Sequence, residues 1–293
     1  MTRKTQPMRS CLYMPGSNTR ALEKARTLAA DVVILDLEDA VAPEAKALAR
    51  EQVCDAVKAG GFGNRLVVVR INALDAPWGA DDLAAVVAAG PDAVLAPKVS
   101  SADEVEVYCT ALEAAGADAA LQFWAMIETP RSVLNLADIS AAGRGRLTTL
   151  VAGINDLVKE LFTELAADRS NVMHSLSHLL LCARANGLTA LDGVCNQIED
   201  TERLRTECEQ GRLLGFDGKT LIHPSQIKTA NTQFSPYPEQ LEQARAIVDA
   251  FAHPENAGAG VIKVNGKMTE LLHLEQARRL LAVQASIERL SQG

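Results

Sequence analysis

The sequence predicts an α/β fold, a closed eight-stranded (β/α)8 TIM barrel with a C-terminal helical extension, and three observations carry that reading. Short apolar, β-rich runs alternate eight times with longer Ala-rich, charged stretches of helical period. The length of 293 residues accommodates one large barrel, which typically takes about 250. An open doubly wound sheet usually needs fewer strands.

The strand runs, in order, are residues 11–14, 32–37, 66–71, 93–96, 123–127, 147–151, 188–191 and 219–222. Helical stretches lie between them, among them 43–59 (PEAKALAREQVCDAVKA), 102–115 and 199–214. Gly60-Gly61-Phe62-Gly63 and Ala89-Gly90-Pro91 end helices before strands, as C-cap glycines do. From 155 to 187 the helical pattern exceeds one unit, so two helices broken near 168–171 are expected. The Pro-containing FSPYP at 234–238 closes the eighth unit. A helix at 239–251, a loop HPENAGAG, a short run VIKVNG and a final helix from 268 to about 290 should follow. The chain thus divides at 235 into a catalytic barrel, 1–235, and a lid or oligomerisation segment, 236–293.

Composition narrows the function. Hydrophobic residues make up 48% of the chain and charged ones 23%, which excludes a disordered or collagen-like protein. The 37 acidic against 29 basic side chains give a net charge of -8, and no basic stripe is present to bind nucleic acid. The N-terminus MTRKTQPMRS lacks the apolar centre of a secretory signal, and no apolar run approaches the roughly 18 residues of a membrane span. A soluble cytoplasmic protein with neither nucleic-acid nor membrane partners is expected. The six cysteines show no paired spacing and read as reduced, structural thiols.

In a parallel barrel the working residues project from the C-terminal strand ends. Polar residues there are Asp36, Glu38 and Asp39, Arg70 and Asn72, Lys98, Glu128, Asn155 and Asp156, Asp192, and His223. Glu128 and Asp156 each follow an otherwise apolar strand, in FWAMIETPRS and TTLVAGINDL. Two carboxylates, with water and substrate oxygens completing an octahedron, suit Mg²⁺; helix capping by Asp156 is compatible with that role. Arg70 ends the buried run LVVVRIN and needs a carboxylate partner or an anionic ligand. The Asp36–Asp39 cluster offers such partners, so a structural network and a substrate contact both stay open. His174 and His178 lie four apart on a helix, but the general-base Glu of the HExxH pattern is missing, and helix packing is the reading. No GxGxxG, P-loop or GxSxG is present.

The ordered set RSCLYMPGSN, DVVILDLEDAV, VVVRIN, APKV, MIETPRSVLN, GINDLVKEL and GFDGKTLIHPSQI, spanning residues 9 to about 230, resembles the citrate lyase β-subunit-like proteins. These are relatives of malyl-CoA and citramalyl-CoA lyases in the HpcH/HpaI aldolase superfamily. The resemblance implies a Mg²⁺-dependent carbon–carbon lyase, with Glu128 and Asp156 as metal ligands and Arg70 against the oxygen of a 2-oxo acid. It puts Asp36 and Glu38 in a supporting catalytic cluster. Tyr13, Pro15, Gly16, Lys98, Gly153 and Asn155 fall in matching segments, with the first four in those that line the substrate and thioester region. The implied substrates are β-hydroxyacyl-CoA thioesters such as malyl-, methylmalyl- or citramalyl-CoA, giving a 2-oxo acid and an acyl-CoA. A citryl-acyl-carrier-protein lyase subunit, an aldolase for free 2-oxo acids and a silent metal- and 2-oxo-acid-binding regulator are the alternatives.

The family is commonly a homotrimer whose C-terminal segment closes over a neighbouring subunit's site. Its lyases carry an Asp two residues beyond a GKM or GKL triplet, where this chain has Glu270. Glu270 as the proton-transfer carboxylate supplied in trans stands beside a tail that merely packs on its own barrel.

Overall fold

The structure, a computed structural model, describes residues 6–292. They form two compact units, Met8–Phe234 and a second comprising residues 6–7 and 235–292.

In the first unit eight parallel strands close into a barrel in sequence order. They are β1 Ser10–Pro15, β2 Val32–Asp36, β3 Leu66–Arg70, β4 Ala93–Ala96, β5 Gln122–Ile127, β6 Leu147–Ala152, β7 Thr189–Asp192 and β8 Gly218–Leu221. Pairing of β1 with both β2 and β8 leaves no edge. The helices of this unit are α1 Thr19–Ala25, α2 Lys46–Ala59, α3 Gly79–Ala89, α4 Ala102–Ala114, α5 Pro130–Leu134, α6 Leu136–Ala141, α7 Ile154–Glu160, α8 Met173–Ala185, α9 Thr201–Leu214 and α10 Ile227–Gln233. The expected TIM barrel is therefore present, and its strands read as unbroken apolar runs because both faces are covered.

Strand alternation decides what reaches the mouth. Val32, Ile34, Leu66, Val68, Trp124 and Met126 fill the barrel interior, while Val33, Leu35, Val67, Val69, Phe123 and Ala125 pack outward against helices. Continuing the inward parity by two places Asp36, Arg70 and Glu128 at the tops of β2, β3 and β5. Register sets them side by side: Asp36 pairs with Arg70, and Ile127 with Ala152, so Glu128 and Gly153 emerge together.

The break expected near 168–171 is longer than the pattern suggested. α7 ends at Glu160, Phe162 and Arg169 both adopt left-handed φ of 54° and 59°, and α8 begins only at Met173. His174 and His178 lie on α8 with rings nearly parallel, 6.0 Å apart, and the described residues contain no cluster of three metal-ligating side chains.

The second unit holds α11 Pro238–Ala252, an antiparallel hairpin of β9 Val261–Val264 and β10 Lys267–Glu270, and α12 Leu271–Ser291. The final helix thus starts at Leu271 and not at 268. Asn265 and Gly266, at φ 48° and 81°, make the two-residue turn that favours a hairpin, and cross-strand pairing then claims residues 267–270. Ala244, Ile247, Ile262, Val264, Leu274 and Ala277 form this unit's core. Glu270 is the N-cap of α12; its backbone N–H donates to His273 Nδ1 at 3.0 Å. No helix among the described residues is long and apolar enough to cross a membrane. All six cysteines are buried and free.

Candidate active site

A cavity of about 290 Å³ opens at the C-terminal strand ends of the barrel. Tyr13, Asp36, Arg70, Glu128, Gly153, Asn155 and Asp156 line it, joined by Asp39, Met126, Thr220 and others. Pro15, Gly16, Glu38 and Lys98 are not among its lining residues, and Glu270 belongs to the other unit. Gly16 serves close packing: its N–H donates to Asp36 O at 2.8 Å, and a Cβ there would come within 2.6 Å of the same oxygen.

Arg70 is clamped by Asp36. Its Nε donates to Oδ1 at 2.7 Å and its Nη2 to Oδ2 at 2.6 Å, a bidentate fork. Glu38 Oε2 lies 2.8 Å from Nη1, close enough for an ion pair yet off hydrogen-bond alignment, and Asp39 approaches the same nitrogen at 3.5 Å. Burial alone would raise Asp36, but the Arg70 charge and hydrogen bonds from the Arg70 side chain and from the Glu38 and Ala40 amides outweigh it and hold the carboxyl below its ordinary value. Glu38 goes the other way: burial, then Asp39 and Asp36, raise it against the pull of Arg70 and Lys98.

Beneath this cluster sits Lys46, buried although it occupies a helix that reads as charged. Its Nζ donates to the carbonyls of Leu37 and Glu38 at 2.9 and 2.8 Å and to Asn72 Oδ1 at 2.7 Å. Asn72 in turn donates to Leu37 O and Asp82. This tier fixes the backbone on which Asp36, Glu38 and Asp39 stand.

Across the mouth, Glu128 is only 1% exposed and accepts one hydrogen bond, from Lys98 N at 2.7 Å. Lys98 holds that N–H in place with a left-handed φ of 55°. Burial, too little opposed by Arg70 and this N–H, pushes the Glu128 carboxyl up to about 8. Gly153 leaves it room, since a Cβ there would lie 2.5 Å from Glu128 Oε2. Asp156 stands in the first turn of α7, where the helix dipole favours an anion. The Asn155 and Asn196 amides exchange hydrogen bonds of 3.3 and 2.7 Å and tie the β6 and β7 loops together.

Neither Glu128 nor Asp156 has an ion-pair partner among the described residues. With Asp36 and Asp39 they put four carboxylates against one guanidinium on the cavity wall. A carboxyl raised by burial, beside a second one, fits Mg²⁺, which takes one or two carboxylates and fills its other positions with water and substrate oxygens.

Asp192 does not reach this mouth. It follows Leu191, which faces the barrel interior, so its own side chain points outward. There it accepts from Arg169 Nη1 at 2.8 Å and Lys219 Nζ at 3.1 Å, in a network closed off from solvent. Lys98, two residues past the end of β4, is absent from the cavity lining and pairs with Glu38 through Nζ at 3.4 Å. Met126, Thr220, Lys46 and Arg169 had no distinguishing local pattern; the parity of Met126, two before Glu128, was the one available signal.

A parallel barrel whose mouth sets unpaired carboxylates beside a clamped arginine is the frame of a metal-assisted aldolase or lyase. Residues 9–224 match the HpcH/HpaI aldolase/citrate lyase family, and the chain belongs to it. Among its relatives, the (3S)-malyl-CoA thioesterase of Cereibacter sphaeroides strain KD131 is 48% identical over 282 residues, covering 96% of each chain. Citrate lyase subunit beta of Escherichia coli K12 is 32% identical, covering 96% of this chain and 94% of that one. The crystal structure of CitE from Mycobacterium tuberculosis in complex with magnesium, acetoacetate and coenzyme A superposes with a TM-score of 0.75 at 31% identity, covering 96% and 99%.

Proposed function

We propose that this chain is a Mg²⁺-dependent enzyme acting on a malyl-type β-hydroxyacyl-CoA thioester, with thioester hydrolysis as its leading activity. The carrying observation is the Glu128–Asp156 pair, two carboxylates without a cation beside Arg70 on one cavity wall. Relatives 48% identical over nearly the whole chain, named (3S)-malyl-CoA thioesterase, support the substrate and the hydrolysis. Glu270, where the lyases carry Asp, supports a departure from simple lyase chemistry.

Held by Glu128 and Asp156, Mg²⁺ would supply Lewis-acid polarisation of substrate oxygens. Arg70, immobilised by Asp36, orients the acyl group's carboxylate or carbonyl oxygen. Met126, Val194 and Ile222 give the cavity an apolar stretch of wall beside its charged one. Water adds to the thioester carbonyl carbon and the C–S bond breaks; of the water's two protons, one passes to the departing CoA sulfur and the other goes to solvent as the new carboxyl ionises.

Carbon–carbon cleavage, the second reading, is supported by the family match and by the citrate lyase beta subunits at 31–36% identity. Those subunits also make an acyl-carrier-protein thioester a candidate substrate. Incubation of the Mg²⁺-loaded protein with (3S)-malyl-CoA separates the two: hydrolysis releases free CoA thiol and malate, whereas cleavage yields acetyl-CoA and glyoxylate without thiol. Neither product rejects the proposal and leaves a silent binder.

The proposal extends to residues 236–293 as a lid in a homotrimer, with Glu270 moving a proton in a neighbouring subunit's site. Mixing inactive Glu128→Gln and Glu270→Gln proteins under subunit exchange should restore activity. No recovery despite proven exchange removes the trans lid. Six buried free thiols support work in a reducing compartment such as the cytoplasm.

A further inference from the structure

We propose that Tyr13 is a catalytic residue that joins Arg70 in a two-donor site for a negatively charged oxygen of the acyl group. The inference rests on the proposed function only for the identity of that acyl group; the donors are set by the fold.

Tyr13 shares the inward parity of Cys11 on β1, so its ring enters the barrel from below the cavity and lines it. The guanidinium carbon of Arg70 stands 4.8 Å from the ring centroid, a cation–π contact that keeps the two groups in register. Their hydrogen bonds converge: Tyr13 Oη donates to Met126 Sδ at 3.7 Å, and Arg70 Nη1 donates to the same sulfur at 3.7 Å.

A thioether is a weak acceptor, so the Tyr13 hydroxyl has a poor partner on the cavity wall, and it shares that partner with an Arg70 nitrogen that also pairs with Glu38 and Asp39. For packing alone, Phe would fill the same space; Tyr instead sets a hydroxyl on the half-buried cavity wall. Preorganised donors aimed at one point are what a developing oxyanion requires. A carboxylate or carbonyl oxygen that displaces this contact accepts from both groups at once.

The phenol stays a donor. Burial raises it above its ordinary value, and Asp36 and Glu128 add to the rise against Arg70, so it remains protonated at any working pH.

The test is Tyr13→Phe, which keeps the ring and its contact with Arg70 and removes one O–H. On Mg²⁺-loaded protein, kcat for (3S)-malyl-CoA should fall about 100-fold, with KM changed far less, as for loss of one oxyanion donor. Affinity for oxalate, a small dianion read by calorimetry without any thioester, should fall about tenfold, the worth of one charge-assisted hydrogen bond. The tyrosine ultraviolet difference signal on oxalate binding should appear in the wild-type protein and vanish in the variant, with the thermal midpoint unchanged.

Unchanged oxalate affinity together with a surviving tyrosine signal overturns the proposal whatever the rate does. A wild-type protein that gives no tyrosine signal with oxalate overturns it without any variant. Because oxalate binding needs no turnover, failure of malyl-CoA as substrate counts against the proposed function and not against Tyr13.

Discussion

Two sets of carboxylates face each other across the same barrel mouth, and their environments are opposite. On the β2–β3 side, Asp36 is held below its ordinary value by an arginine that meets it with two hydrogen bonds. On the β5–β6 side, Glu128 is buried almost as completely but has a single amide N–H, and its carboxyl is pushed up to about 8. The fold has neutralised one side with its own cation and left the other without one. Burial of an uncompensated carboxylate is costly unless a cation arrives, so under the proposed function the difference becomes a division of labour, with a rigid anion-recognising half and a cation-binding half.

The largest effects should come from breaking the cation-seeking half. Glu128→Gln and Asp156→Asn are each expected to lower Mg²⁺-dependent activity on the order of 10³-fold while the protein stays folded, because both carboxyls face the cavity. Calorimetry should show weakened Mg²⁺ binding in both, and unchanged affinity in the pair would dissolve the contrast. Next in size is Arg70→Lys, expected to lose roughly 100-fold in turnover, since an ammonium cannot reproduce the planar fork that Asp36 holds. Full turnover with only a lowered thermal midpoint would make Arg70 structural and the first half mere scaffolding.

The two halves should also titrate differently. Glu128 is raised from an ordinary 4.5 to about 8, so between those values the folded metal-free protein keeps a proton that the unfolded chain has released. Its contribution to stability is therefore complete below about pH 4.5 and is lost as pH rises through about 8. Asp36, being lowered, contributes in the opposite sense, present above its ordinary 3.8 and lost only on stronger acidification. Mg²⁺ must displace the Glu128 proton, so its affinity should climb about tenfold per pH unit up to about pH 8 and then level off. A flat affinity from pH 6 to 8, or no proton release on binding, would place the ion elsewhere.

Much of this was legible because buried parallel strands read as apolar runs and a polar residue ending such a run stands out. Arg70, Glu128 and Asp156 were found that way, and the structure lines the cavity with all three. The same rule brought in Asp192, which has the outward parity at the end of β7, and Lys98, which lies two residues past β4 with a left-handed φ and so escapes the alternation. Counting alternation back from Leu191 separates Asp192 from Glu128, which follows the inward Met126 by two. What counting cannot supply is the partner: Arg169 and Lys219 reach Asp192 from 23 and 27 residues away, and no local pattern marks them. The hairpin at 261–270 was hidden for another reason. Its Asn-Gly turn is explicit, but KMTELLHLEQ also carries helical period, and only pairing with β9 decides between them.

Lys46 offers the subtlest way to sharpen the contrast, because it acts on the anion-recognising half without touching the cavity. Its ammonium satisfies the Leu37 and Glu38 carbonyls and Asn72 Oδ1, and its Nζ lies 5.2 Å from the Trp78 ring centroid. Lys46→Met preserves the aliphatic stem but strips those acceptors, at a cost of about 1–3 kcal/mol for the groups left unsatisfied. The loop bearing Asp36 and Glu38 should then hold Arg70 less tightly. A KM increase of several-fold with kcat nearly intact, and Mg²⁺ affinity unchanged, is the expected pattern, since Glu128 stands just past β5 and Asp156 on α7. Equal losses in Mg²⁺ affinity and in KM would mean that the two halves are one coupled network, and the contrast between them would fall.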